Sequence, residues 1–150
     1  MRVRVAAAGD EQVIAAIACQ AATVSRVLWE PGRAAKEIAA AQSLVLVAQT
    51  DVVIGFLAAR RVAEDEWELD MIAVDASLWR GGVGSSLLRE FFARVSRPCK
   101  IYLEVAESNL VAQEFYKKSG AKPVFIRKDY YRTDESGSQE AACVLLFQLS

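Results

Sequence analysis

Apolar and polar residues alternate from Arg2 to Val5, and this two-residue period predicts a first strand over Arg2 to Ala8. The period then lengthens. Beyond Asp10, a residue type that caps helices, Val13, Ile14, Ile17 and Val24 recur at helical spacing, so a helix is expected through about Thr23. Ser25 to Gly32 reads as an irregular link carrying Trp29, and Pro31 suits the first turn of an alanine-rich helix ending near Ala41. Leu44 to Ala48 and Val52 to Arg60 flank Thr50-Asp51 as the arms of an antiparallel hairpin, with Gly55 a place for a bulge. Trp67 to Val74 is the next strand. After it, Val83, Leu87, Leu88, Phe91, Phe92 and Val95 form one apolar face of a helix closed by Pro98.

Ile101 to Val105 is short and almost wholly apolar, as a strand in the middle of a sheet should be. Ser108 or Asn109 caps a helix that stops at Gly120, with Lys117 and Lys118 in its last turn. Val124 to Tyr131 and Ala142 to Leu149 make a final hairpin around the polar stretch from Thr133 to Gln139. The resulting order, β-α-α-β-β-β-α-β-α-β-β, is that of an α/β (α+β) domain with a mixed sheet and helices on both faces.

Composition narrows the class without naming it. At 150 residues the chain fits one domain, spanning 1–150, large enough for a real core. A net charge of −1 leaves no basic footprint for nucleic acid. No apolar run approaches the roughly 20 residues of a membrane helix, and the N-terminus lacks the apolar core of a signal peptide. Three cysteines, Cys19, Cys99 and Cys143, without metal spacing fit a reduced cytoplasmic protein, each read as a buried core thiol. There is no histidine. Histidine triads and histidine-ligated metals are therefore excluded, no metal is expected, and any general acid or base must be Asp, Glu, Tyr, Lys or Cys.

The chemistry gathers in two stretches. Arg80-Gly81-Gly82-Val83-Gly84-Ser85 joins an apolar strand directly to a helix. The first amides of a helix have no partner within it and its start is partly positive, so such a junction is a natural phosphate seat. It is also a common plain turn. The loop is no P-loop, since no Lys follows Gly84, and Leu87 stands where a dinucleotide fingerprint needs its third glycine. In the second stretch, Glu104 alternates with Leu103 and Val105 near the end of the central strand, and Tyr116 follows in the next helix. A partly desolvated carboxylate there has its pKa raised toward that of a useful base. A solvated strand-end Glu and a core Tyr fit the same residues.

The run from Met71 to Asp75, Gly81 to Leu88, Leu103 to Ala121 and then Ile126-Arg127-Lys128-Asp129-Tyr130-Tyr131 resembles the GNAT superfamily of acetyl-CoA-dependent N-acetyltransferases. Within it, the likeness is to the bacterial RimI-type ribosomal-protein alanine N-acetyltransferases, over roughly Trp67 to Leu149. The resemblance implies the GNAT fold, a mostly antiparallel sheet of about seven strands with about four helices. It implies that Ile72, Ala73 and Val74 pair with the pantetheine arm of acetyl-CoA. Arg80, Gly81, Gly82, Val83, Gly84 and Ser85 would hold the pyrophosphate, with Asn109 also touching the cofactor. Glu104 matches the family's general base and Tyr116 its general acid. Trp79 departs from the Gln or Arg usual at that place in the loop pattern.

An α-amine must lose a proton before it can attack, at a cost of about 1–1.4 kcal/mol at pH 7, against about 4.6 kcal/mol for a lysine amine. A lone Glu suits the first better, which favours an N-terminal amine as acceptor, and the resemblance implies the N-terminus of a protein, a ribosomal protein among the candidates. Trp29, Tyr130 and Tyr131 are candidates for the acceptor groove by likeness, while Glu68 and Asp70 would attract a cationic terminus. A lysine or small amine as acceptor, or a binding module without catalysis, remain open, as does the oligomeric state.

Overall fold

The computed structural model describes residues 1–25, 31–132 and 139–150, the side chains of 21–25, 129–132 and 139–140 excepted. Trp29 therefore lies outside the described residues, and Tyr130 and Tyr131 are placed by their backbone alone. The strands are β1 (Arg2–Val5), β2 (Ser43–Gln49), β3 (Val53–Ala63), β4 (Glu66–Val74), β5 (Cys99–Ala106), β6 (Lys122–Arg132) and β7 (Gln139–Leu149). They form a 7-stranded sheet in the order β1-β2-β3-β4-β5-β7-β6. The helices are α1 (Glu11–Ser25), α2 (Pro31–Ala39), α3 (Val83–Arg94) and α4 (Leu110–Lys118). Neighbouring strands run antiparallel except β4 and β5, so the mixed sheet and its element order are as expected.

Two apolar layers sandwich the sheet. Leu87, Leu88 and Phe91 of α3, its C-cap Val95, and Tyr116 of α4 pack on Leu57, Leu69, Ile101, Leu103, Leu145 and Phe147. On the other face, Ile14, Ile17 and Ala18 of α1 and Ala34 of α2 pack on Val45, Val47, Phe56 and Met71. Strand alternation sends successive residues to opposite layers, so these two memberships fix which way each strand residue points. No helix among the described residues is long and apolar enough to cross a membrane, which leaves β-barrel membrane proteins unaddressed.

Several local expectations change. β1 stops at Val5, opposite Leu46: Ala6 N–H still bonds in register to Val45 O, and the chain then leaves the sheet in a turn closed by Asp10 N–H on Ala7 O. Asp10 does precede α1, but its carboxylate turns back to accept from the Ala7 N–H at 2.8 Å and from Arg4 at 2.8 and 3.1 Å. The hairpin bulge falls at Ile54, since Ala48 pairs Gly55 and Gln49 pairs Val53. Gly55 serves close approach instead: a Cβ there would lie 3.1 Å from Ala73 O and 3.2 Å from Val83 Cγ1. Cys99 is buried and Cys143 half-buried, but Cys19 is exposed, on the outward stripe of α1 with Gln12 and Ala16.

Candidate active site

The parallel pairing of β4 with β5 covers Glu66–Lys100, Trp67–Ile101 and Glu68–Tyr102, then ends. Beyond it, β4 stays with β3 as far as Val74–Gly55, and β5 stays with β7 as far as Ala106–Ala142. The two strands part like the arms of a V. The register of β4 on β3 explains where: Leu69 pairs Ala59 and Met71 pairs Ala58, so Asp70 is an extra, bulged residue. A bulge bends its strand and sharpens the twist, and this one comes two residues past the last β4–β5 pair.

The bend leaves one edge of β4 facing the gap. Asp75 N–H bonds to Ile54 O of β3 at 2.8 Å, so main-chain groups of Ala73 face β3 as well. Those of Ile72 and Val74 point the opposite way, into the opening. Of the three residues expected to line an added arm, Ile72 and Val74 therefore present the edge, and Ala73 is buried against α1 and α2.

The glycine loop closes the end of that edge. Asp75 caps a single helical turn, Ala76–Leu78, accepting from Ser77 N–H at 3.0 Å and Ser77 Oγ–H at 2.7 Å. The chain then takes left-handed backbone at Arg80 (φ 68°) and at Gly82 (φ 85°), the N-cap of α3. Ser86 is the first amide of α3 to bond back, to Gly82 O at 3.0 Å. The leading amides of Val83, Gly84 and Ser85 stand ahead of it without an intrahelical acceptor. Arg80, Gly81, Gly82 and Ser85 are exposed. Gly84 lets α3 approach α4, since a Cβ there would sit 3.3 Å from Phe115 Cζ. A diphosphate fits this cluster: open amides, a positive helix start and the Arg80 charge.

Glu104 and Tyr116 come from opposite faces. Leu103 and Val105 belong to the α3–α4 layer, so Glu104 points to the α1–α2 side. Its side chain is 25% exposed, and Arg127 Nη1 of β6 lies 3.0 Å from its Oε1. Tyr116 is buried in the α3–α4 layer, edge-on to Phe115 and Phe147 at 5.1 and 6.4 Å between ring centres. Burial pushes its phenol well above the ordinary range, so it keeps its proton. Asn109 caps α4, accepting from Ala112 N–H at 3.1 Å.

Two residues escaped the sequence reading. Arg127 carried no sign of its partner, which sits two strands away. Gln113, buried one turn before Tyr116, donates to Ala106 O at 3.1 Å and Glu107 O at 2.8 Å, pinning α4 to the end of β5. A polar residue on the apolar side of a helix was the available signal.

On the α1–α2 side stand more carboxylates. Glu68 pairs with Arg60 at 2.6 Å. Asp70 is exposed, with Arg60, Glu37, Glu68 and Arg33 as its charged neighbours. Desolvation leads in raising its pKa to about 6, Arg60 and Arg33 oppose this, and Glu37 and Glu68 add to it. Asp70 and Glu104 thus flank the mouth of the V, each two residues beyond the Glu68–Tyr102 pair.

Residues 8–121 match the model of the Acetyltransferase (GNAT) family. The chain is 28% identical over 125 residues to a [ribosomal protein bS18]-alanine N-acetyltransferase of Haemophilus ducreyi, covering 82% of this chain and 85% of that one. Its fold superposes on the ribosomal-protein-S18-alanine N-acetyltransferase of Escherichia coli with a TM-score of 0.80 at 25% identity, over 99% of this chain and 94% of that one. Ard1 from Thermoplasma volcanium shares the fold, with a TM-score of 0.83 at 22% identity over 99% and 97%. The chain belongs to the GNAT family and is an acetyl-CoA-dependent N-acetyltransferase.

Proposed function

We propose that the chain, acting as one cytoplasmic domain, acetylates the N-terminal α-amine of a protein, a ribosomal protein being the first candidate. The V between β4 and β5 carries this reading, with carboxylates at its mouth on one face and the loop amides and a protonated phenol toward the other. The relatives named as alanine N-acetyltransferases of a ribosomal protein support the same acceptor class. Bound acetyl-CoA supplies an acetyl thioester. In this reading main-chain N–H groups between Arg80 and Ser85 hold its diphosphate, except that of Gly81, which bonds to Leu78 O at 3.2 Å, and Ile72 and the Val74 N–H hold its arm as an added strand would be held. Asn109 keeps its amide nitrogen as a further donor.

Glu104 accepts a proton from the incoming ammonium at its carboxylate, directly or through one water, leaving a neutral nucleophile. Asp70 and Glu68 draw the cationic terminus toward the gap. Main-chain N–H groups on the open edge of β4 polarise the acyl carbonyl as negative charge develops on its oxygen. As the C–N bond forms and the C–S bond breaks, Tyr116 gives its phenolic proton to the departing sulfur, and the proton shed by the attacking nitrogen returns to the phenolate through solvent. The test offers acetyl-CoA with a peptide bearing a free N-terminal Ala and an internal Lys, and with the same peptide blocked at its N-terminus. Mass spectrometry should find one acetyl group, on the α-amine, in the first peptide only. Equal modification of the blocked peptide at Lys would overturn the acceptor assignment.

A further inference from the structure

One tie spans the cofactor seat and has no part in the mechanism above. The Trp79 indole Nε1–H donates to Val74 O at 2.8 Å. That carbonyl lies on the open edge of β4, because Asp75 N–H, the next main-chain group, turns to Ile54 O on β3. Trp79 itself immediately precedes Arg80, whose left-handed backbone is one that side-chain-bearing residues rarely adopt. The bond therefore fastens the start of a strained loop to the last residue of the strand edge. Trp79 is 51% exposed, so its ring is not held there by burial in the core.

We propose that Trp79 is a positioning residue for acetyl-CoA, whose indole N–H locks the glycine loop to the end of β4 and sets the phosphate-facing amides in register with the thioester-facing edge. This rests on the acetyl-CoA assignment. The loop must be held in one conformation for its amides to converge on an anion, and ordering it only on binding would weaken affinity. The 3-10 turn's main-chain bonds run on through Trp79 N–H to Ala76 O at 3.5 Å and Gly81 N–H to Leu78 O at 3.2 Å, and the indole bond ties that ordered run to the open edge of β4.

The test measures binding of coenzyme A and of ADP, which shares the diphosphate but has no arm, by calorimetry. Trp79→Phe keeps a ring and removes the donor; it should weaken both ligands by the same factor, roughly three- to tenfold, as one lost hydrogen bond predicts. Trp79→Gln restores a donor and should return both affinities to within about twofold of wild type. Should Trp79→Phe fold poorly, benzothienylalanine at position 79 keeps the indole shape without the N–H and should behave as the Phe variant does. Wild-type affinity in the donor-less variants, loss for coenzyme A alone, or failure of Gln to rescue would each overturn the proposal. Wild-type protein that binds neither ligand would instead bring down the cofactor seat on which it rests.

Discussion

Glu104 and Arg127 hold each other at 3.0 Å across an intervening strand, Glu104 pairing with Val144 of β7 and Arg127 with Ala142 of the same strand. The guanidinium gives the carboxylate a fixed direction at the mouth of the V. With Arg127 47% exposed, the pair adds well under about 1 kcal/mol to stability, so its effect should appear in turnover. Glu104→Gln should lower kcat by roughly 10² or more with coenzyme A affinity unchanged. Arg127→Met leaves the Glu104 carboxylate in place but unaimed, and if Glu104 is the base about a tenfold loss is expected. Steady-state kinetics beside calorimetry checks both; normal turnover in Glu104→Gln would remove it as the base.

The bulged residue makes a pH prediction. Asp70 has a pKa raised from the ordinary 3.8 to about 6, so the folded protein holds this proton at pH values where the unfolded chain has lost it. The contribution to stability is complete below the unfolded value and is lost as pH rises through about 6. Asp70→Asn removes that slope. Melting temperatures from pH 4 to 8 should show wild type losing ground to the variant across this window and level above it. Acceptor KM should fall in wild type as Asp70 ionises, a step the variant lacks. Parallel melting curves at all pH values would place Asp70 in ordinary surface water.

Two glycines separate binding from folding. Gly82 has left-handed backbone and nothing within 4 Å of a built Cβ, so Gly82→Ala costs about 1 kcal/mol in backbone strain without a clash. If the amides that follow it hold the diphosphate, coenzyme A affinity should fall about tenfold as the loop relaxes. Gly55→Ala meets Ala73 O and Val83 Cγ1 at 3.1 and 3.2 Å, an overpacking cost of about 1–3 kcal/mol. It should melt lower, with coenzyme A affinity falling less than in Gly82→Ala. Equal affinity losses in the two variants would deny the loop its separate role.

The legible part of the site was local. A glycine loop between a strand and a helix shows itself in consecutive residues, and so do the alternation that turns Glu104 from Leu103 and the capping Asn109. What escaped depends on partners far along the chain. The bulge at Asp70 exists only against Ala58 and Ala59 of β3, and nothing within β4 marks the extra residue. Arg127 meets Glu104 because β7 returns between β5 and β6, an order the linear sequence does not display. Asp10 turned back because Arg4 and the Ala7 amide compete for the same carboxylate oxygens. The strand-end Glu and core Tyr were each open to a bland interpretation; Tyr116 is in fact part of the core, and burial alone does not separate packing from acid catalysis.

A substitution that keeps the ring can separate them. Tyr116→Phe leaves the edge-on contacts with Phe115 and Phe147 and the apolar layer intact, so melting should shift little. If the hydroxyl protonates the leaving sulfur, kcat should fall by about 10- to 100-fold while coenzyme A binding holds. A control sharpens this: an acetyl thioester of a more acidic thiol needs less help to leave, so the penalty on the Phe variant should shrink with it. A loss that is the same for both donors would trace to displaced packing, and no loss at all would leave Tyr116 a core residue whose proton takes no part in the reaction.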